Sequence, residues 1–354
     1  MYTTVKIRTA ATPQASTSIL TLYTGGTFGM VYNRAGQLVP FDFEHIVERV
    51  PELSRFDFEL TVIAFAKPID SSNVTPEHWI EMAQIIYNNY ELYDGFVILH
   101  GTDTMAYSAS ALSFLLENLN KPVIFTGSQI PIGAVRTDAR RNLITALEIA
   151  SARNAEGNPM VPEVCIYFNN FLWRGNRAKK VESAHFDAFY SDNYPALAEA
   201  GISIDYNKQL IMPYKRANDI KCCTKMNSNV AILKLFPGIH LNIVNNILHI
   251  PGLKGLVLET YGSGNAPTSA GFIDALAEAI DRQVIILNIS QCSGGKVVQG
   301  KYETSKKLAE IGVLSGKDLT TEAGITKMMY LLGRENFLED VKKQLICPIR
   351  GEML

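Results

Sequence analysis

The sequence predicts an α/β protein of two domains: a larger N-terminal one with a mostly parallel sheet flanked by helices, and a smaller C-terminal α/β one. Three observations carry this. Short, nearly continuous apolar runs alternate with longer stretches of helical character, the pattern of strands covered on both faces by crossover helices. Hydrophobic residues make up 47% of the chain and charged residues 19%, which excludes a disordered or coiled-coil protein. At 354 residues the chain exceeds what one core usually organises.

Residues 19–23 form the first apolar run, closed by Gly25 and Gly26. The runs 60–65, 96–100, 123–125 and 164–168 follow and read as buried strands. Thr75 can cap a helix that has Pro76 at its first position and runs to about Glu91. Residues 104–118 and 138–153 read as two more helices, the second with Asp138 near its start, where a carboxylate suits the dipole. Residues 1–17 read as a poorly ordered arm ahead of the first strand. The stretch 206–226 has no clear period and reads as a connection between a domain over 18–205 and another over 227–354. In the second, runs at 230–235, 255–259 and 284–289 alternate with helices at about 240–249 and 268–281. Short helices at about 322–332 and 335–345 close the chain.

A formal net charge of -2 and isolated basic pairs point to no nucleic-acid partner and no anionic membrane surface. No run of about 18 apolar residues predicts a membrane span, and no apolar segment near the start reads as a signal peptide. The five cysteines include no C-x-x-C pair, and Cys222 and Cys223 are adjacent, a poor geometry for a disulfide. Reduced thiols in a cytoplasmic protein fit best. The six histidines show no metal-ligand spacing, so neither a metal nor another cofactor is expected.

In an open α/β sheet, sites form beyond the carboxyl ends of the strands. Four polar segments fall there: Thr24-Gly25-Gly26-Thr27, Asp70-Ser71-Ser72-Asn73, His100-Gly101-Thr102-Asp103 and Thr126-Gly127-Ser128-Gln129. A rim of hydroxyls with few imidazoles suggests hydroxyl nucleophilic catalysis without a histidine base. A threonine then needs an activator, and a partly buried neutral lysine such as Lys180 can take its proton. Each piece has a plainer reading. Gly-Gly after a strand is a common turn, Thr102-Asp103 can cap a helix, and a lone lysine is usually a surface residue. Trp79 and Trp173 read as core or interface anchors.

The longer motifs are more specific. Tyr23-Thr-Gly-Gly-Thr-Phe-Gly-Met30 resembles the first threonine motif of asparaginases, and Asp94 to Tyr107, containing His-Gly-Thr-Asp-Thr, resembles their second. Pro122 to Pro131, Phe168-Asn-Asn, Arg174-Gly-Asn-Arg177 and Tyr261-Gly-Ser-Gly-Asn-Ala-Pro267 also match, in the expected order from about residue 18 to the end. The set is similar to the cytoplasmic, type I branch of bacterial-type L-asparaginases. The resemblance implies hydrolysis of L-asparagine to L-aspartate and ammonia without a metal, in a homotetramer of two close dimers. It implies Thr27 as the nucleophile that forms a β-aspartyl ester, with Thr102, Asp103 and Lys180 as a second triad; which threonine acts first stays open. It further implies that Ser71 holds the substrate α-carboxylate, with Ser72 adjacent, and that Asp103 pairs with the α-ammonium. Gly26 and Thr102 amides would help form the oxyanion site.

Two departures stand out. Where many members carry a tyrosine in the mobile loop after the first motif, this chain has Leu38, and Tyr32 lies earlier in the same loop. Glu259 stands before the Tyr-Gly-Ser-Gly-Asn segment, where a basic residue would suit an effector carboxylate, which sets allosteric activation by asparagine in doubt. Three alternatives stay open. One is an ammonia-producing subunit of a tRNA-dependent amidotransferase, which the 26 residues ahead of Thr27 count against. Another is a non-enzymatic small-molecule-binding protein on the same scaffold. The third is a preference for glutamine, which turns on one methylene of pocket length.

Overall fold

The computed structural model describes every residue except 1, 9–16, 33–37, 41–45, 47–49, 216–218, 301–302 and 336, with backbone alone for 8, 31–32, 38–40 and 303–304. The chain divides into two α/β units, Met1–Ser191 with Pro195–Cys222, and Asp192–Tyr194 with Cys223–Leu354.

In the first unit the chain runs through β1 (Tyr2–Arg8), β2 (Thr17–Tyr23), β3 (Met30–Tyr32), β4 (Leu38–Pro40), β5 (Phe58–Phe65), α1 (Pro76–Asn88), β6 (Gly95–Leu99) and α2 (Met105–Leu115). It continues through β7 (Leu116–Glu117), β8 (Val123–Thr126), α3 (Ala139–Ser151), β9 (Val164–Phe168) and β10 (Phe171–Arg174). The unit ends with β11 (Lys179–Lys180), β12 (Phe189–Tyr190), β13 (Ala198–Ala200), β14 (Ile204–Tyr206) and β15 (Lys221–Cys222).

Nine strands form one sheet in the order β1-β5-β2-β6-β8-β9-β10-β13-β14. The five from β5 to β9 run parallel. All five residues of β6 are buried, as a strand covered on both faces must be. From β2 the chain crosses first to β5 on one side, and later to β6 on the other. The carboxyl ends of β2 and β6 therefore flank a topological switch point, where the crossovers diverge and leave a crevice.

The predicted helices form with shorter ends. Pro76 takes the first position of α1, and His78 Nδ1 accepts from the Thr75 backbone N–H at 3.0 Å. Helix α2 buries every residue except Tyr107. Asp138 stands at the start of α3, as the sequence indicates. The Asp138 side chain makes no cap bond to the first-turn amides of the helix; its carboxylate takes the amides of Gln129 (3.0 Å) and Ile130 (3.1 Å), while Thr137 Oγ1 accepts from Ala139 N.

The N-terminal arm needs correction. Residues 2–8 are not a loose arm but β1, paired antiparallel with β5 from Tyr2 opposite Phe65 to Arg8 opposite Glu59. The segment is rich in Thr, Val and Ile, which suit an extended edge, and it covers a strand that would otherwise present open backbone groups. The rest of that expectation, 9–16, lies outside the described residues. The antiparallel strands β10, β13 and β14 complete the other edge.

The second unit contains β16 (Val230–Lys234), α4 (Leu241–Leu248), β17 (Gly255–Thr260), α5 (Ala270–Asp281), β18 (Ile285–Ser290), α6 (Glu303–Glu310), β19 (Leu314–Ser315), α7 (Thr321–Arg334) and α8 (Leu338–Leu345). Its four strands lie parallel in chain order. Leu256, Leu258, Leu276 and Ile286 lie at the centre of its core. A fully buried ion pair, Lys327 Nζ to Glu352 Oε1 at 2.6 Å, fastens α7 to the C-terminal turn. Lys327 also donates to the carbonyls of Leu345 (3.1 Å) and Cys347 (2.6 Å), and burial pulls its pKa down. Among the described residues, no helix is long and apolar enough to cross a membrane.

Candidate active site

The site is built at the switch point. After β2, Thr24 bonds back to the end of β6 through its backbone N–H and its Oγ1, both to Leu99 O, at 3.1 and 3.0 Å. Two glycines with positive φ then turn the chain, Gly25 at 135° and Gly26 at 83°. Gly26 lies so near the next turn that a Cβ built on it would stand 2.5 Å from Gly101 Cα. Thr27 follows at once, in a short 3-10 turn, Thr27–Gly29, whose Phe28 and Gly29 are buried.

The turn after β6 is held from behind by three buried side chains. His100 Nδ1 lies 2.7 Å from Gly101 O, and its Nε2 lies 2.9 Å from Ser108 Oγ, which accepts from Trp79 Nε1 at 2.9 Å. A carbonyl only accepts, so Nδ1 carries the proton and Nε2 accepts from the Ser108 hydroxyl. Burial holds the imidazole neutral, its pKa pushed down to about 4. In a trans peptide the carbonyl and the next N–H point opposite ways, so the Thr102 amide is directed away from His100.

In front of this turn three predicted residues meet. Lys180 Nζ donates to Thr102 Oγ1 at 2.8 Å and to Asp103 Oδ1 at 2.6 Å. Thr102 is buried, whereas the Asp103 side chain is 66% exposed. An ion pair that open contributes less than about 1 kcal/mol to folding, so the arrangement does little for stability. Ser71 is buried against the same turn, and a Cβ on Gly101 would lie 2.6 Å from its Oγ. Thr104 Oγ1 bonds Ser71 O at 2.7 Å. Ser72 is exposed, with its backbone N–H (3.0 Å) and Oγ (2.8 Å) both on Asp70 Oδ1, bonds that hold that carboxyl below its usual pKa.

Thus Gly26, Ser71, Thr102, Asp103 and Lys180 gather on the crevice, with Thr27 one residue beyond Gly26 and Ser72 one beyond Ser71. Tyr32 and Leu38 lie opposite each other where β3 pairs with β4, but their side chains fall outside the described residues. In the second unit, Glu259 accepts from Thr321 Oγ1 at 2.5 Å and lies 3.5 Å from Lys234 Nζ. Sequence reasoning passed over Gln129, although it stands in one of the four rim segments; it accepts from Thr102 Oγ1 at 3.2 Å. It also passed over the bonds that join His100, Ser108 and Trp79, since nothing local in the sequence pairs them.

Residues 18–212 match the family described as "Asparaginase, N-terminal", and residues 229–345 the "Glutaminase/Asparaginase C-terminal domain". The chain is 43% identical to L-asparaginase 1 of Escherichia coli over 338 residues, covering 95% of this chain and 98% of that protein. It is 40% identical to a 60 kDa lysophospholipase of Homo sapiens over 95% of this chain and 61% of that one. The crystal structure of L-asparaginase I from Vibrio cholerae superposes with a TM-score of 0.86 at 40% identity, covering 96% of this chain and 99% of that one. With both halves matched and the site gathered at the switch point, the chain belongs to the bacterial type I L-asparaginase family.

Proposed function

We propose that the chain hydrolyses the side-chain amide of L-asparagine to L-aspartate and ammonia through a threonine-linked ester. The observation that carries this is the Lys180 amine held at hydrogen-bond distance from both Thr102 Oγ1 (2.8 Å) and Asp103 Oδ1 (2.6 Å), at the crevice edge beside the Thr27 turn. Thr27 Oγ attacks the amide carbon, its proton passes to the departing nitrogen, and ammonia leaves the β-aspartyl ester. Water then cleaves the ester and restores the Thr27 hydroxyl. Lys180 in its neutral form takes a proton from Thr102, and Asp103 orients the amine.

The Gly26 amide and the Thr102 amide, directed away from His100, stabilise the oxyanion. Ser71 receives the α-carboxylate with Ser72 beside it, and the Asp103 carboxylate pairs with the α-ammonium, which selects a free amino acid. The exposure of Asp103 supports a role in meeting substrate. The proposal includes a homotetramer of two close dimers and a cytoplasmic location, the latter in keeping with five cysteines that stand outside any disulfide.

The test is ammonia release from L-asparagine and, separately, L-glutamine by wild type and Thr27→Ala. Strong release from asparagine that disappears in a folded Thr27→Ala supports the reading. Near wild-type turnover in that variant sinks the nucleophile, and no release by wild type from either amide sinks the activity. Activity is expected to survive exhaustive chelation; a loss that added metal restores would overturn the metal-free chemistry.

A further inference from the structure

We infer that Gln129 is a positioning residue that holds the Thr102 hydroxyl and the Lys180 hairpin in register, an inference that rests on the reading just proposed. While Lys180 is an ammonium, which has donors only, the Thr102 oxygen accepts from it and the single Thr102 hydroxyl proton must be directed elsewhere. Gln129 Oε1, 3.2 Å away, is the acceptor placed to take it. Once the lysine is neutral, the hydroxyl turns from that acceptor to Nζ.

The amide of Gln129 cannot turn over without loss. Its Nε2 donates to the backbone carbonyl of His185 at 3.1 Å. Turned by half a rotation, the amide would set its oxygen against that carbonyl and its NH2 group against a threonine oxygen that already accepts from lysine.

Gln129 is also mounted on a rigid base. Its backbone N–H bonds Asp138 Oδ2 at 3.0 Å, and Asn142 Nδ2 links that carboxylate to Gly127 O, at 3.2 and 3.0 Å. The hairpin it reaches is slight. Strands β11 and β12 are two residues each, and His185 lies in the exposed loop between them. Lys180 therefore sits on a short element whose loop is tied, through one side-chain amide, to the threonine it must face.

The experiment compares wild type, Gln129→Met, Gln129→Glu and Lys180→Met for kcat and KM of ammonia release from L-asparagine, with a thermal melt of each. Gln129→Met keeps length and loses both bonds. It is expected to lower kcat by about ten- to a hundredfold, the scale of a misplaced catalytic group, with KM within about twofold and an unchanged melt. Gln129→Glu keeps the acceptor for Thr102 but sets an oxygen against the His185 carbonyl, so it is expected to remain below wild type in kcat.

A Gln129→Met enzyme with kcat within about twofold of wild type, or with a change in KM alone, overturns the inference. Lys180→Met separates the two levels of the argument. If it is inactive while Gln129→Met is normal, only the role of Gln129 falls; if it is fully active, the proposed machinery falls and Gln129 with it.

Discussion

Gly26 and Gly101 lie back to back where the turns after β2 and β6 meet, with 2.5 Å between a Cβ built on Gly26 and Gly101 Cα. The contact is backbone on backbone, so no side-chain rotation can relieve it. Gly26 also holds φ at 83°, where a Cβ is strained in any case. Gly26→Ala is therefore expected to lose about 3 kcal/mol or more of stability, measured by urea unfolding, and to lose turnover with it. A variant as stable as wild type would show that the two turns can part freely.

Lys180→Met should separate chemistry from folding. Its partner Asp103 is mostly exposed, so the melt should shift by less than about 1 kcal/mol in equivalent terms. Turnover should fall by about a hundred- to ten-thousandfold, while calorimetry still detects binding of L-aspartate. Loss of binding without loss of kcat in the residual activity would place Lys180 in recognition instead.

His100 gives a pH dependence with a definite sign. Its folded pKa, about 4, lies below the usual 6.5, so the unfolded chain takes up the proton first as pH falls. The stability it contributes is complete above about pH 6.5 and drains away down to about pH 4, for a total on the order of 3 kcal/mol. Unfolding free energies from pH 7 to 4.5 should fall more steeply for wild type than for His100→Gln. Equal slopes would mean the imidazole is not held neutral.

The buried Lys327–Glu352 pair should be costly to break on one side. Glu352→Leu leaves a buried ammonium without its carboxylate and is expected to lose about 3–5 kcal/mol in urea unfolding of the whole chain. The double variant Lys327→Met with Glu352→Leu should be less damaged than Glu352→Leu alone. Strict additivity of the two single changes would argue against a direct pairing.

Much of this molecule was legible in its sequence, and for local reasons. Apolar runs and helix starts are written in neighbouring residues, so strands at 60–65 and 96–100 and a helix from Pro76 could be placed, with ends that moved by a few residues. The strand β1 was missed because Tyr2–Arg8 holds no continuous apolar run, Val5 and Ile7 being separated by Lys6, and becomes a strand only by completing the edge of β5. Asp138 was read as an aid to its own helix. Its carboxylate also reaches back eight and nine positions to fix the backbone on which Gln129 stands.

By itself the sequence determined an alternating α/β chain with two glycine-rich threonine turns at strand ends, and it named Thr27, Thr102, Asp103 and Lys180 through motifs matched residue by residue. Only the tertiary structure decided that β2 lies between β5 and β6, so that those two turns share one crevice. Only it brought Lys180 within 2.8 Å of a threonine 78 positions away and joined His100 to Ser108 and Trp79 behind the turn. The physical reason is range. Periodicity and turn chemistry act over a few residues, whereas distances between remote side chains follow from strand order and crossover direction, which the packing of the whole unit sets.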